Sequence, residues 1–372
     1  MTPIIPDFQP IPFPAPLWLL KTLLVLGFFL HAIPMNAALM GGLFAVFYGA
    51  KGRQGDAHAA RFSKTLAASL PIFLSFAITQ GIVPLLFLQL VYGPLYYASS
   101  IVMAVPWIAV LGLLLIGYLF LYTYKLDWKR VAGGRAPWLL VAASLAFLTI
   151  AFFFTNNMTL MLSPEKWQGL MAAHPYGGAL NLSEASLWPR LLHMVIGAAA
   201  ITGLIVGCFG LFWAKRDADY GAWLIRQGAG TFFVITLIEC VGGFWFLMAL
   251  PREQMMAFMG GEQIGSIAFI ASLALTFVAL VGSAIAWRNG KAAPFKVAVF
   301  GGLLTMLTMS VMRHMLREYA TAGFFRPQDV AVHIQWDLLI PFVILAVGMI
   351  AYLIWLARVA FSAYFSPVAP EA

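Results

Sequence analysis

The chain has 372 residues, of which 62% are apolar and only 10% charged, and its formal net charge is +8. A soluble domain carries roughly 25% charged residues, so this composition excludes an ordinary water-soluble fold and leaves most of the surface to lipid. Apolar runs of about 20 residues, each able to cross a hydrocarbon core of roughly 30 Å, recur along the chain. No two-residue alternation is present, which excludes an outer-membrane barrel.

The proline-rich first sixteen residues have no basic segment and do not read as a signal peptide, so insertion is expected to rely on the first apolar run. The runs predict an all-α, polytopic helical bundle of about nine spans, forming one membrane domain over 1–372: 17–50, 65–91, 97–123, 138–158, 187–214, 228–250, 264–287, 295–318 and 336–361. The first is longer than a bilayer needs and is expected to tilt, protrude or bend near Pro34. Tyr92-Gly93-Pro94 predicts a turn between the second and third spans, and Gly133-Gly134-Arg135-Ala136-Pro137 one before the fourth. The longest connection, 156–190, contains Pro164–Ala173, which reads as a short interfacial helix. Cys208 and Cys240 lie inside apolar runs and read as small packing residues.

Basic residues are distributed unevenly. The connections after spans one, three, five and seven, with the C-terminal segment, hold 15 of the 22, and the opposite side holds seven. By the positive-inside rule the N-terminus lies outside and the C-terminus in the cytoplasm. The basic balance is thus a topology signal, and no nucleic-acid partner is implied.

Ionisable side chains within spans are costly and are functional candidates by default. His31, His193 and His314 lie in spans one, five and eight, all towards the same leaflet. Neutral imidazole is an iron ligand, and facing helices can grip a porphyrin; the alternative is that each ring hydrogen-bonds between helices as packing glue. No CxxCH is present, which excludes covalent c-type attachment. Arg313 and Arg317 bracket His314, and their forked donors suit haem propionates or, alternatively, an interfacial position. Met306, Met309, Met312 and Met315 cluster in span eight as candidate thioether ligands or gap-fillers. Gln80 and Gln89 offer hydrogen bonds in span two, and Glu239 in span six reads as a proton-relay carboxyl or an interhelical bond.

Several of these stretches together resemble the cytochrome bd oxidase subunit I family. Leu30-His31-Ala32-Ile33-Pro34 with Gly41-Gly42-Leu43-Phe44 resembles the first-helix histidine that ligates a haem of the oxygen-reducing pair. Ala77-Ile78-Thr79-Gln80-Gly81 leading to Tyr92-Gly93 resembles the second helix, with Gln89 where the family carries a carboxylate. Thr155-Asn156-Asn157-Met158 with Pro164 resembles the end of the fourth helix. Trp188-Pro189-Arg190-Leu191-Leu192-His193-Met194 resembles the fifth-helix start, whose histidine holds the low-spin haem b. The resemblance is best over 17–214 and looser over 228–361, where His314 falls at the position of a glutamate haem ligand. The long quinol-binding loop is reduced to 251–263, the motif Gly-Arg-Gln-Pro-Trp is absent, and the span-seven methionine ligand has no match.

The resemblance implies a haem b-binding electron-transfer subunit of a respiratory complex in a bacterial inner membrane. It implies one to three haems, with haem d less expected. His31, His193 and His314 are the iron ligands, with Gln89, Arg313, Arg317 and Met315 near the cofactor. Partner subunits of the complex, such as a c-type cytochrome or iron–sulfur protein, are implied with it. The alternatives are a bd-type oxygen reductase with altered ligands, and a cofactor-free structural or transport subunit that kept the fold.

Overall fold

The computed structural model describes residues 11–126 and 137–365. Among them, nine helices are long and apolar enough to cross a membrane: Leu17–Arg53, Ala57–Val102, Ala104–Leu126, Pro137–Met161, Leu187–Trp213, Ala218–Met248, Gln263–Asn289, Ala292–Thr321 and Trp336–Phe365. They are called here the first to ninth helices. The expected Gly133–Pro137 turn lies outside the described residues except for Pro137, which opens the fourth helix.

The helices pack mainly as sequential hairpins, first on second, third on fourth, fifth on sixth and seventh on eighth. Small residues permit this without a hydrophobic drive between lipid-facing surfaces. On the fifth helix Gly203 and Gly207 lie against Gly228 of the sixth so closely that a Cβ on Gly228 would fall on the Gly207 backbone. Where residues are larger they interlock: Tyr48, Phe62, Leu66 and Leu70 fill the first–second seam and meet Tyr220 and Leu224. The ninth helix stands at the periphery with none of its span buried inside the protein. Its start is tied to the N-terminal segment, where the Phe13 N–H donates to the Ala331 carbonyl and the His333 N–H to the Phe13 carbonyl.

The first helix continues through Pro34 without a break in its helical residues, as a single first span requires. One boundary differs from the sequence expectation. The turn expected at Tyr92-Gly93-Pro94 is instead a kink inside a 46-residue second helix, and the chain turns at Met103. Pro94 lacks an N–H and its ring crowds the carbonyl one turn earlier. The distortion is absorbed at Tyr92, whose φ and ψ are −123° and 28°. That kink leaves the Tyr92 ring fully buried against the eighth helix.

The face on which the first helix begins is called here the N-terminal face. The long connection there folds as expected, with a 3-10 turn at Pro164–Lys166 and a helix at Trp167–Ala173. It is fastened by Trp167 Nε1–H donating to the Leu160 carbonyl at 2.8 Å, and by Lys166 Nζ against Glu184 Oε2 at 2.6 Å. The Asn181 backbone N–H donates to Asn156 Oδ1 at 2.8 Å, within the fourth-helix stretch Asn156-Asn157. On the opposite face, Asp217 caps the sixth helix and binds Arg61 of the second at 2.6 Å.

Candidate functional site

Two adjoining cavities open between the helices towards the N-terminal face. The larger, about 320 Å³, is enclosed by the first, fourth, fifth, sixth, seventh and eighth helices and is lined by His193, Glu239, Arg190, Arg313 and Arg317 among mostly apolar side chains. The smaller, about 90 Å³, is lined by His31 and His314, with Gly81 and Pro84 of the second helix. Phe28, Met158, Ser310, Arg313 and Arg317 border both. The three histidines proposed from sequence therefore gather at one end of the bundle, around two neighbouring spaces. At 1.5 Å per residue, His193 and His314 lie about 10 Å along their helices from the N-terminal face, and His31 about 21 Å.

Each ring is seated differently. His31 Nδ1 donates to the Ala77 carbonyl across the first–second seam at 2.8 Å. A carbonyl can only accept, so the proton is fixed on Nδ1 and the Nε2 lone pair is left free. Gly81 makes room for the ring, since a Cβ there would stand 2.9 Å from Cε1. His193 Nδ1 lies 2.7 Å from Glu239 Oε1 of the sixth helix. That contact is close but bent, because neither Nδ1 nor Glu239 Oε2 has an aligned hydrogen-bond partner. His314 is buried, its Nδ1 is unpartnered, and its Nε2 stands 3.9 Å from Glu318 Oε1.

Around these rings the charge is mostly positive. Arg190, Arg313 and Arg317 each rest on an aromatic ring: Arg190 over Phe246 at 5.1 Å, Arg313 over Phe28 at 4.3 Å and Arg317 over Tyr92 at 5.1 Å. Arg190 and Arg317 are buried, and Arg190 Nε has no partner. Buried polar groups are normally satisfied. Orphaned guanidinium, imidazole and carboxyl atoms beside one cavity therefore fit an amphipathic guest that brings acceptors of its own.

The sequence reading passes over Glu318, Tyr92 and Lys21. Glu318 Oε2 takes Lys21 Nζ at 2.8 Å, and Tyr92 donates its hydroxyl to Glu318 Oε1, about one helical turn beyond His314, Leu24 and Leu88 of the smaller cavity's lining. The available signal was Glu318 standing one helical turn after His314, on the same face. Two proposed residues do not join the site. Gln89 lines neither cavity and accepts from the Tyr97 hydroxyl at 3.4 Å. Met315 packs instead with Leu247, Leu250, Phe258 and Leu316, because its position turns it away from the face that Met306, Met309 and Met312 present to the larger cavity. Cys208 and Cys240 are free thiols, as expected.

Among the described residues no three His, Cys, Asp or Glu side chains converge as a metal cage. The donors present are single imidazoles set beside apolar space. Such a set fits an iron whose other ligands come from a macrocycle, and 320 Å³ falls in the ordinary range of ligand pockets, about 300–1,000 Å³.

No family model and no curated protein matches the chain. Among solved structures it is similar to a chain of bd oxidase from Geobacillus thermodenitrificans, with a TM-score of 0.67 and 14% identity. The match covers 94% of this chain and 99% of that one. At that identity the likeness is one of fold: the helical bundle of this chain matches that of the oxidase chain over nearly its whole length.

Proposed function

We propose that the chain is a haem b-binding electron-transfer subunit of a respiratory membrane complex. The observation that carries the reading is the gathering of His31, His193 and His314 around two adjoining cavities, with Arg313 and Arg317 between them. The fold shared with an oxidase supports it. His193 lines the larger cavity, which is of ligand size, and His31 and His314 line the smaller; one to three haems are proposed, the first of them beside His193. Haem supplies a one-electron couple when bound. The residues supply the rest. Ala77 fixes His31 as the Nδ1–H tautomer, the guanidiniums receive propionates as forked donors, and the packed aromatic rings exclude water from the cavities.

The test is a pyridine haemochrome assay with acid–acetone extraction on protein expressed with ample haem. One to three extractable haems b per chain are expected. A colourless, correctly folded preparation overturns the reading.

Electron transfer is preferred to oxygen reduction because the second-helix carboxylate implied by the resemblance is absent, with Gln89 in its place. Polarography with a quinol or a reduced c-type cytochrome should show slow or no oxygen uptake. Cyanide-insensitive turnover of roughly 10 per second or more would reverse that preference.

A further inference from the structure

Several cations on the face opposite the N-terminal face are held by the protein itself. Arg61 binds Asp217 and lies between the Trp213 and Tyr220 rings, and Lys51 lies over Phe47. The turn between the seventh and eighth helices is different. Arg288 and Lys291 stand on either side of Gly290, and both are exposed. Arg226 of the sixth helix reaches the same turn, since a Cβ on Gly290 would stand 2.9 Å from its Nε. Lys296 follows on the eighth helix, also exposed. Among the described residues none of these four side chains has an ion-pair partner or an aromatic ring beneath it. We propose that this corner binds the headgroup phosphate of an anionic phospholipid, with Arg226, Arg288 and Lys291 as its donors.

The sequence withholds every competing anion. No acidic residue occurs between Glu262 and Glu318, which covers the whole of the seventh helix and the turn. The acids nearest Arg226 along the sixth helix, Asp217 and Asp219, face Arg61 and His58 of the second. A preference for basic residues on one side of the membrane explains the sign of the charge. It does not explain why Arg226 is laid against a turn that already carries two cations, where like charges repel unless an anion joins them.

The corner also lies at the depth of a headgroup. Arg226 immediately precedes the apolar run of the sixth helix. One turn further into that helix Gly230 makes room for Trp287, whose Nε1 would stand 2.7 Å from a Cβ there. The Trp287 ring is half-exposed and packs on Phe233, as an aromatic anchor does at the lipid–water boundary. Lys296 stands beside Val297 and Phe300, both exposed, so its stem lies along lipid-facing surface and its ammonium reaches back towards the boundary. Cations above and apolar surface below match a phosphate that carries acyl chains. Arginine forks take phosphate oxygens in pairs, and lysine adds a point charge. The site is independent of the haem-binding reading.

The experiment reconstitutes the full chain in nanodiscs of equal parts phosphatidylglycerol and phosphatidylcholine, and native mass spectrometry counts the lipids retained on release. The protein should retain phosphatidylglycerol in preference. The triple variant Arg226→Gln, Arg288→Gln, Lys291→Gln should lower that preference by roughly fivefold for each cation that engages the headgroup. A charge-matched triple on the same face, Lys51→Gln, Arg53→Gln, Lys125→Gln, should leave it in place. Equal losses in the two triples would mean a diffuse field without a site, and no loss in the first would mean no binding there; either result overturns the proposal. If the first triple does not assemble, the pair Arg288→Gln, Lys291→Gln, whose side chains are exposed, should show the same loss against Lys51→Gln, Lys125→Gln. Retention that survives excess inorganic phosphate supports a lipid, while displacement by inorganic phosphate assigns the corner to a free anion and overturns the lipid assignment.

Discussion

The pocket of His31 and the pocket of His193 solve one packing problem in two ways. In both, a glycine on the facing helix makes room for an imidazole, and Nδ1 is turned to an oxygen across the seam. They part in what surrounds the ring. The His31 pocket is about 90 Å³, with the Lys21–Glu318–Tyr92 cluster about one helical turn beyond its lining, while the His193 pocket is about 320 Å³ and draws lining residues from six helices. A helical bundle can thus present the same ligand type in a tight socket and in a roomy one. The difference is set by neighbouring small residues and carboxyls, not by the histidines themselves.

The most severe way to break the comparison is to remove the rings. His193→Ala should abolish one haem component and His31→Ala another, each costing about one haem per chain by haemochrome assay. His314→Ala should remove or convert the component that His31 serves, since both rings line the smaller cavity. His333 lies before the ninth helix with its backbone tied to Phe13, so His333→Ala should leave content and spectrum intact. Should His314→Ala and His333→Ala behave alike, the smaller pocket is not a two-sided site.

A milder change sharpens the contrast in fit. A methyl on Gly81 would meet the His31 ring at 2.9 Å, while one on Gly243 would meet the His193 ring at 3.3 Å. Gly81→Ala should therefore displace the ring and cost about 1–3 kcal/mol as overpacking, with a changed His31-side spectrum. Gly243→Ala should cost under about 1.5 kcal/mol, because its neighbour needs to give by only a few tenths of an ångström. Thermal melts with matched spectra order the two, and equal effects would mean that the sockets are equally tight.

Much of this was legible in the sequence because lipid imposes a coarse code. Nine apolar runs became nine helices, and the three histidines reached one end of the bundle because spans alternate direction at a fixed rise per residue. The break at Tyr92-Gly93-Pro94 was misread because a proline in a long helix can be absorbed as a kink when neighbouring helices hold both halves. Gln89 and Met315 were misplaced for a related reason: they share a helix with site residues, but angular position depends on helix rotation, which packing sets. Glu239 was visible as an intramembrane carboxyl, yet its partner was not, since a contact between the fifth and sixth helices depends on Gly197 and Gly243. Glu318 escaped because its mates, Lys21 and Tyr92, come from the two far-off segments that the fold brings against it.

The smallest expected effect concerns the loop that leads into the fifth helix and so into the His193 pocket. Burial alone would raise the Glu184 carboxyl, but Lys166 and the Ser186 backbone and hydroxyl outweigh it and hold it below the usual carboxylate range. A depressed folded-state value gives stability that is present above the ordinary carboxylate pKa and is lost as pH falls through the lowered one. The pair is partly solvated, so the contribution is about 0.2–1 kcal/mol. The sign is clear even so. Between neutral pH and the lowered value the clamp should hold, and below it exchange of the 174–186 amides should quicken before the helices open. Glu184→Gln should abolish that acid step, leave exchange at neutral pH slightly faster, and leave the His31 pocket unaffected. The Lys21–Glu318 pair lies at a different point, about one helical turn beyond the smaller pocket, so an acid step that appears there first would mean that the two pockets do not open independently.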